Sequence, residues 1–293
     1  MICPYNIAWV YWNPERAVFN VPIIDRPIVW YGLWFVLGFA VGYVIALPMF
    51  KRKLQQTHTH ERSKELALHL VDRLTWFIVA GTIIGARLGH VFFYDWPRYQ
   101  HHLVDIFKVW EGGLASHGGV VGVLLAIYLY QRSIRKNFPE FTYIALLDIL
   151  VVPTAFVACC IRIGNFFNQE ILGTSTTVPW AIIFGNPADG SPVEPRHPVQ
   201  LYEAAAYLFT FFLLGYLWKY KAEKLRPGLL SGLFFIMVFG SRFLLEFFKT
   251  SQSLMIDESF LQTGQYLSIP CILFGIWLVN KHPVDNVSPH ADV

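Results

Sequence analysis

Three arginines interrupt the apolar segments of this sequence, each near the end of an apolar run: Arg87, Arg162 and Arg242. An ionisable group inside a membrane is costly, so it indicates a functional site by default. Guanidinium groups bind phosphate bidentately, so these arginines favour an anionic partner, and a phospholipid headgroup is the phosphate available at that depth. For Arg162 the structural alternative is a side chain that snorkels to the headgroup level.

His117 lies in a stretch with glycines on both sides, Glu-Gly-Gly-Leu-Ala-Ser-His-Gly-Gly at 111–119. Glycine lets backbone or substrate approach closely, so either one could lie against this stretch. Glu246 follows Arg242 by four residues, which places both on one helical face where they could pair. A purely structural ion pair at the membrane interface is the alternative for those two residues.

The composition indicates that lipid replaces water around much of the chain. Of the 293 residues, 55% are hydrophobic and only 15% are charged, whereas a soluble protein carries about 25% charged residues. The net charge of +3 is too small to indicate nucleic-acid binding. The cysteines show neither a disulfide framework nor metal-ligand spacing, so we expect no metal. No cofactor is expected either. The N-terminus lacks the basic region of a cleavable signal peptide.

A helix that spans a membrane needs roughly 20 mostly apolar residues. Seven segments come close to or reach that length, which predicts an all-α polytopic membrane protein. They lie at about 28–50, 74–94, 117–131, 141–161, 201–220, 228–248 and 264–280. The third and seventh are short. We expect an extracytoplasmic segment at 1–27, a transmembrane catalytic domain at 28–280 with an outer loop at 163–200, and a cytoplasmic tail at 281–293. Glycines four apart in several segments predict close helix packing.

The loops after the first, third and fifth segments hold most of the Lys and Arg, which predicts that the N-terminus is outside and the C-terminus cytoplasmic. With that orientation, five segments bring polar residues to the same outer depth. The polar residues at this depth are Tyr31, Arg87, His90, His117, Arg162, Arg242 and Glu246. This convergence predicts an outward-facing site for an anionic lipid, but it does not choose a reaction.

Three other functions are weighed against that site. A transporter or channel typically has broken helices or repeats near the bilayer centre, and neither is visible here. An intramembrane serine protease would need a serine and a histidine that face each other, whereas Ser116 and His117 are adjacent and point apart on a helix. A non-catalytic lipid-binding protein stays open on the residues alone.

Seven blocks of sequence, in order, resemble the prolipoprotein diacylglyceryl transferase family over about residues 27–280. The blocks are Trp-Tyr-Gly-Leu at 30–33, Gly-Ala-Arg-Leu-Gly with Phe-Tyr at 85–94, Glu-Gly-Gly-Leu-Ala-Ser-His-Gly-Gly at 111–119, Arg-Ile-Gly-Asn-Phe-Phe-Asn-Gln-Glu at 162–170, Pro-Arg-His-Pro-Val-Gln-Leu-Tyr-Glu at 195–203, Gly-Leu-Leu-Ser-Gly-Leu-Phe at 228–234 and Arg-Phe-Leu-Leu-Glu-Phe-Phe at 242–248. One such block is a weak signal, whereas seven in the family's order are specific.

The resemblance implies an enzyme of the bacterial inner membrane that acts on phosphatidylglycerol and prolipoprotein signal peptides. It implies transfer of the sn-1,2-diacylglyceryl group to the lipobox cysteine thiol, which forms a thioether and releases glycerol phosphate as the first step of lipoprotein maturation. The thiolate is the nucleophile, and His117 is the candidate base for the thiol proton. Arg162 and Arg242 are expected to hold the phosphate and to stabilise the charge on the leaving group.

The resemblance places Tyr31 among the catalytic residues and implies a wider headgroup-binding set. That set is Arg87, Gly118, Arg162, Asn165, Glu170, Gly173, Arg242 and Glu246. We expect Asn165 and Glu170 to hold the headgroup or arginine geometry, and Glu246 to orient Arg242.

The sequence departs from the family pattern at four places. Ile161 and Gln169 stand where many relatives have glycine, and His90 stands where tyrosine is frequent. A tyrosine often found shortly before the arginine of the sixth segment is absent from the stretch 238–241, Val-Phe-Gly-Ser. We expect these departures to alter local loop geometry.

Overall fold

The computed structural model describes residues 9–21, 26–221, 225–250 and 261–281, and these fold mostly into helices. The α-helices are α1 (Trp30–Leu54), α2 (His60–Phe93), α3 (Trp96–Tyr99), α4 (Ser116–Ile134), α5 (Tyr143–Asn168), α6 (Val199–Lys221), α7 (Leu229–Leu245) and α8 (Thr263–Asn280). Short 3-10 helices lie at Leu103–Phe107, Val109–Glu111 and Glu246–Phe248. The strands are β1 (Val10–Trp12), β2 (Ala17–Val21), β3 (Arg26–Val29), β4 (Ile182–Phe184) and β5 (Pro195–Arg196).

The seven long helices fall on the seven predicted membrane segments. Five of them, α1, α2, α5, α6 and α7, are long and apolar enough to cross a membrane. The helices α4 and α8, which match the two segments predicted to be short, are not among these five. A mostly helical membrane protein is therefore confirmed, whereas the count of seven spans and the orientation of the termini stay predictions.

Two helices extend beyond their predicted bounds. The helix α2 starts at His60 rather than near residue 74, because the polar stretch 60–73 continues the helix. The helix α5 continues to Asn168, so the predicted outer loop 163–200 begins later than expected. The indole of Trp12 donates to the carbonyl of Phe166 at 3.2 Å and packs on the Phe166 ring at 4.6 Å between centroids. This contact caps and covers the extra turns of α5.

The chain divides into two compact units, and the first comprises residues 1–42 and 150–293. In this unit α7 packs against α6 and α8. Beside the end of α5, β1 pairs with β4 in parallel and β4 pairs with β5 antiparallel. Strands β2 and β3 form a separate antiparallel hairpin just before α1. The loop after α5 is thus tied into a small sheet rather than running freely.

The second unit comprises residues 43–149, and its centre is the contact between α2 and α4. Both helices carry glycines four apart, and these glycines face each other. A Cβ added to Gly81 would lie 2.6 Å from the carbonyl oxygen of Gly122, and one added to Gly89 would lie 2.7 Å from the Cα of Gly118. The prediction that glycine spacing serves close helix packing is confirmed for this pair.

Candidate active site

The polar residues of the first unit meet where several helix ends come together, and Glu203 lies at their centre. Glu203 sits in the first turns of α6, and its side chain is fully buried. Its Oε2 lies 3.0 Å from Nε of Arg162, and its Oε1 lies 3.0 Å from Nζ of Lys249. Tyr207, one turn further along α6, donates its hydroxyl to the same Oε1 at 3.4 Å. A single carboxylate thus holds two cations.

Lys249 continues this arrangement on the segment that follows α7. Its Nζ lies 2.9 Å from Oε2 of Glu246, and its side chain is only 3% exposed. The ammonium is therefore shared by two carboxylates, just as Glu203 is shared by two cations. Burial of a charge is costly unless it is paired, and here Arg162, Glu203, Lys249 and Glu246 alternate in sign.

Arg162 is fixed from its own helix as well. Its Nη1 donates to Oδ1 of Asn165 at 3.3 Å, and Nδ2 of Asn165 donates to Oε1 of Glu170 at 2.7 Å. The backbone carbonyl of Glu170 accepts a hydrogen bond from Nε2 of Gln200 at 2.8 Å, which ties the end of α5 to the start of α6. The expectation that Asn165 and Glu170 hold arginine geometry matches these contacts.

Tyr31 lies in the first turn of α1 beside this cluster. A Cβ added to Gly164 would lie 2.9 Å from the Tyr31 ring, so the glycine lets the tyrosine rest against α5. The charges of Glu170 and Arg162 both act on the Tyr31 hydroxyl. Tyr31 therefore lies against the end of α5, the helix that carries Arg162, and its catalytic role stays a prediction.

Arg242 lies in the last turn of α7, where its charge acts on Tyr207, as does that of Arg162. The expected pairing of Arg242 with Glu246 is not among the ion pairs of the described residues, and Glu246 pairs with Lys249 instead. The amide of Glu246 still donates to the carbonyl of Arg242, so the two residues stay one helical turn apart, and the Glu246 carboxylate lies 2.9 Å from Lys249 instead. A Cβ on Gly264, in the first turn of α8, would collide with the Glu246 carboxylate, so this glycine makes room for it.

Gly173 was expected to contact the headgroup, and the structure gives it a packing role. A Cβ there would collide with the carbonyl of His197. The residue forms a β-bridge with Lys249, flanked by a hydrogen bond from the amide of Thr174 to the carbonyl of Phe248 at 2.8 Å. Gly173 thus helps to place the backbone of Lys249.

In the second unit, Arg87 has a different environment from Arg162. Its guanidinium donates to the backbone carbonyls of Asp105, Ile106, Lys108, Gly112 and Gly113 at 2.6 to 3.2 Å. A guanidinium has five N–H donors, and all five are used here. Arg87 is 3% exposed, so it orders the segment before α4 and has no donor left for a phosphate. The predicted headgroup role of Arg87 is therefore not supported.

His117 and Gly118 open α4 in the same unit. His117 is exposed in the first turn of the helix. Gly118 packs against α2, because a Cβ would collide with the carbonyl of Gly85 and lie 2.8 Å from the Cα of Gly89. The close approach predicted for Gly118 exists, but its partner is the neighbouring helix.

Known proteins are similar to this chain over most of its length. A sequence model described as prolipoprotein diacylglyceryl transferase matches residues 18–280. The chain belongs to that family. Phosphatidylglycerol–prolipoprotein diacylglyceryl transferases of Protochlamydia amoebophila, Tolumonas auensis and Chloroherpeton thalassium are 41%, 40% and 42% identical to it. These alignments cover 95%, 92% and 93% of this chain, and 96%, 96% and 94% of the relatives. Together with the apolar helices, the family makes this a multi-pass membrane protein.

The departure of Gln169 from the family pattern has a structural explanation. Gln169 has φ of 54°, in the left-handed region that favours glycine. Its side chain is fully buried: Oε1 accepts a hydrogen bond from the backbone amide of Asn186 at 2.7 Å, and Nε2 donates one to Oδ1 of Asn13 at 3.2 Å. A glycine at this position would have no backbone strain. In this member of the diacylglyceryl transferase family, two side-chain hydrogen bonds of Gln169 offset that strain.

Sequence reasoning missed Glu203, Lys249 and Tyr207 as members of the cluster. Glu203 closes the block at 195–203, and Lys249 directly follows the block at 242–248, so each lay at the edge of a noted motif. Their meeting with Arg162 is a long-range contact that no local spacing reveals. Among the described residues, no group of three or more His, Cys, Asp or Glu could hold a metal ion.

Proposed function

We propose that this chain transfers the diacylglyceryl group of phosphatidylglycerol to the lipobox cysteine of prolipoproteins, the first step of bacterial lipoprotein maturation. The observation that carries the proposal is the identity of about two residues in five with transferases of that name, over nearly the whole chain. The reaction needs an anion-binding group in a low-dielectric setting, and the cluster around Arg162 supports this requirement.

Arg162 suits the phosphate of the lipid because of how it is held. Its partners among the described residues are the side chains of Glu203, Asn165 and Tyr207. These partners orient the guanidinium without using all five donors. Donors that are already in place stabilise charge developing in the transition state without reorganisation. Arg242, whose charge acts on the same tyrosine, is the second proposed phosphate ligand.

The proposed chemistry is a substitution at the glyceryl carbon that carries the phosphate. The cysteine thiol loses its proton to a base, and the thiolate attacks that carbon. The carbon–sulfur bond forms as the carbon–oxygen bond breaks, and glycerol phosphate leaves with the electron pair. We assign His117 as the base on the strength of its motif and keep Tyr31 among the catalytic residues. Asn165 and Glu170 orient the guanidinium of Arg162 toward the lipid headgroup.

We further propose that the cluster faces the outer side of the inner membrane, where an exported precursor meets phosphatidylglycerol. The support is the excess of Lys and Arg in the loops assigned to the cytoplasm. Cysteine accessibility labelling in intact cells, in a Cys3→Ser background, would test this: a cysteine placed at Ser191 should react with an impermeant reagent, and one at Lys136 should not.

The activity is tested with purified protein, phosphatidylglycerol vesicles and a peptide that carries a lipobox cysteine. The expected result is a peptide mass increased by one diacylglyceryl group, with release of glycerol phosphate. A peptide with serine in place of the cysteine is the control and should stay unmodified. Binding of phosphatidylglycerol without any adduct would favour the non-catalytic lipid-binding protein instead.

A further inference from the structure

The buried carboxylate of Glu203 is the centre of the polar cluster, yet a carboxylate is an unexpected group at a site for an anionic lipid. Both of its oxygens face cations at 3.0 Å, Arg162 on one side and Lys249 on the other. The side chain is 0% exposed, so neither contact is screened by water. Its position calls for an explanation beyond general stability.

We propose that Glu203 is a positioning residue that sets the orientation of Arg162 for the transfer reaction, with Lys249 as the second cation that contacts Glu203. This inference rests on the proposed function. Glu203 contacts Nε of Arg162, whereas Asn165 contacts Nη1. The contact with Glu203 is an ion pair, since its Oε2 accepts no hydrogen bond among the described residues, whereas Asn165 accepts one from Nη1. The two contacts at different nitrogens hold the guanidinium in place and limit which of its remaining donors can face a phosphate.

Lys249 allows Glu203 to do this without neutralising Arg162. The cluster balances three cations against three carboxylates. The cations are Arg162, Arg242 and Lys249, and the carboxylates are those of Glu170, Glu203 and Glu246. If Glu203 had only Arg162 as partner, its negative charge would oppose a bound phosphate at the same guanidinium. Because the positive charge of Lys249 offsets part of the negative charge of Glu203, Glu203 repels an anion that approaches Arg162 less strongly.

The fold holds Lys249 at this place through its backbone and its neighbours. The β-bridge with Gly173 fixes the main chain of Lys249. Its ammonium is held from the opposite side by Glu246, whose carboxylate rests over Gly264. The position of the counter-charge is therefore determined by three separate segments, which is expected if its distance to Glu203 matters.

The test compares Glu203→Gln, Lys249→Met and the double variant in the phosphatidylglycerol and lipobox-peptide assay, with thermal stability measured in detergent. Glu203→Gln removes one negative charge, so the cluster gains a net positive charge, and the double variant restores the balance. We expect Glu203→Gln to lower kcat roughly 100-fold, the effect of a small misplacement of a catalytic group, and to lower the thermal midpoint. The double variant should regain most of the thermal midpoint while its kcat stays low.

Matched controls separate positioning from general destabilisation. Glu194→Gln removes a carboxylate from another buried cation of the same unit, Arg196, whose Nη2 lies 2.6 Å from Oε1 of Glu194. It should lower the thermal midpoint and leave kcat within about twofold of wild type. Glu203→Asp keeps the negative charge, but its side chain is shorter by one methylene, so the carboxylate lies further from Arg162. This variant should fold and show the low kcat of Glu203→Gln.

Two results would overturn the inference: kcat recovering together with stability in the double variant, or a wild-type kcat in Glu203→Asp. Wild-type protein in the same assay distinguishes this failure from failure of the proposed function. If the wild type forms no diacylglyceryl peptide, the function itself is wrong. If the wild type is active and the Glu203 variants match it, only the positioning role is lost.

Discussion

Arg87 and Arg162 are both buried arginines near the ends of apolar helices, and they differ in what holds them. Arg87 donates to five backbone carbonyls, whereas Arg162 is held by the side chains of Glu203 and Asn165. Carbonyl oxygens satisfy the donors without cancelling the charge, and they fix a loop. A shared carboxylate orients the guanidinium and leaves donors for another anion.

The comparison shows that burial of an arginine in a membrane protein does not by itself indicate a ligand site. The number of donors that the protein already uses separates the two cases. From sequence, both arginines lie in conspicuous blocks, Gly-Ala-Arg-Leu-Gly and Arg-Ile-Gly-Asn. Only the structure shows that the first is saturated and the second is not.

The largest expected effect comes from Arg162→Lys. Lysine keeps the charge but loses the planar, bidentate donors, so kcat/KM for phosphatidylglycerol should fall about 1,000-fold, equal to about 4 kcal/mol of transition-state stabilisation. Transfer to a lipobox peptide at varied lipid concentration measures it. The matched variant Arg87→Lys should keep kcat/KM within about tenfold in the folded protein. Equal losses in the two variants would contradict the distinction between them.

Arg87 should instead dominate stability. Arg87→Met leaves five part-buried carbonyls without their charged donor, and hydrogen bonds to a charged group contribute about 1.5–3 kcal/mol, so a loss of about 3 kcal/mol is expected. Denaturation in mixed detergent micelles measures the free energy of unfolding. A loss below about 1 kcal/mol would show that the segment 105–113 is ordered by something other than Arg87.

The contact between α2 and α4 gives a third test. Gly118→Ala places a methyl group against the backbone of Gly85 and should destabilise by about 1–3 kcal/mol through overpacking. Gly119→Ala is the control, since its Cβ would lie 3.6 Å from the nearest side chain, Ala86. We expect that variant to be neutral or slightly stabilising, as alanine favours a helix. If Gly118→Ala is as stable as Gly119→Ala but inactive, Gly118 contacts substrate after all.

A smaller effect is expected at Gln169, which lies in the first unit together with Arg162. Gln169→Ala loses two side-chain hydrogen bonds and keeps the left-handed backbone, so about 2 kcal/mol should be lost. Gln169→Gly loses the same bonds but relieves the strain, and it should be about 1 kcal/mol more stable than the alanine variant. Chemical denaturation of the three proteins decides this, and an alanine variant that equals the glycine variant would remove the strain argument.

The smallest expected effect is a pH dependence at His197, in the loop before α6. Partial burial lowers the pKa of His197 below its ordinary value. The neutral ring is favoured in the folded protein, so this contribution to stability is present above about pH 6.5 and is lost as the pH falls through the lowered pKa. The thermal midpoint of wild type relative to His197→Gln should therefore decrease between pH 7.5 and pH 5. A difference that is constant over that range would exclude the effect.

Much of the fold and part of the site were predictable from local sequence. Apolar length located the seven long helices of the described residues, and glycine spacing predicted close helix packing, which the structure shows between α2 and α4. Arg162, Asn165 and Glu170 lie within one short block, so their contacts follow from a single helix end. The extra turns of α5 were missed because they depend on Trp12, which is more than 150 residues away.

The rest of the site could not be derived from spacing, because it depends on contacts between distant segments. Glu203 meets Lys249 only through the packing of α6 beside the end of α7. The pairing expected between Arg242 and Glu246 did not take Lys249 into account, which pairs with the Glu246 carboxylate even though the backbone of Glu246 keeps its helical hydrogen bond to Arg242. The role of Arg87 depends on backbone carbonyls, which side-chain patterns do not reveal.

The most direct measurement is a structure of the protein in a lipid nanodisc that contains phosphatidylglycerol. We predict that the lipid phosphate lies within hydrogen-bond distance of Arg162, that Glu203 still contacts both Arg162 and Lys249, and that Arg87 keeps its five carbonyl partners. A phosphate bound to Arg87, with the guanidinium of Arg162 fully enclosed by protein groups, would contradict the account.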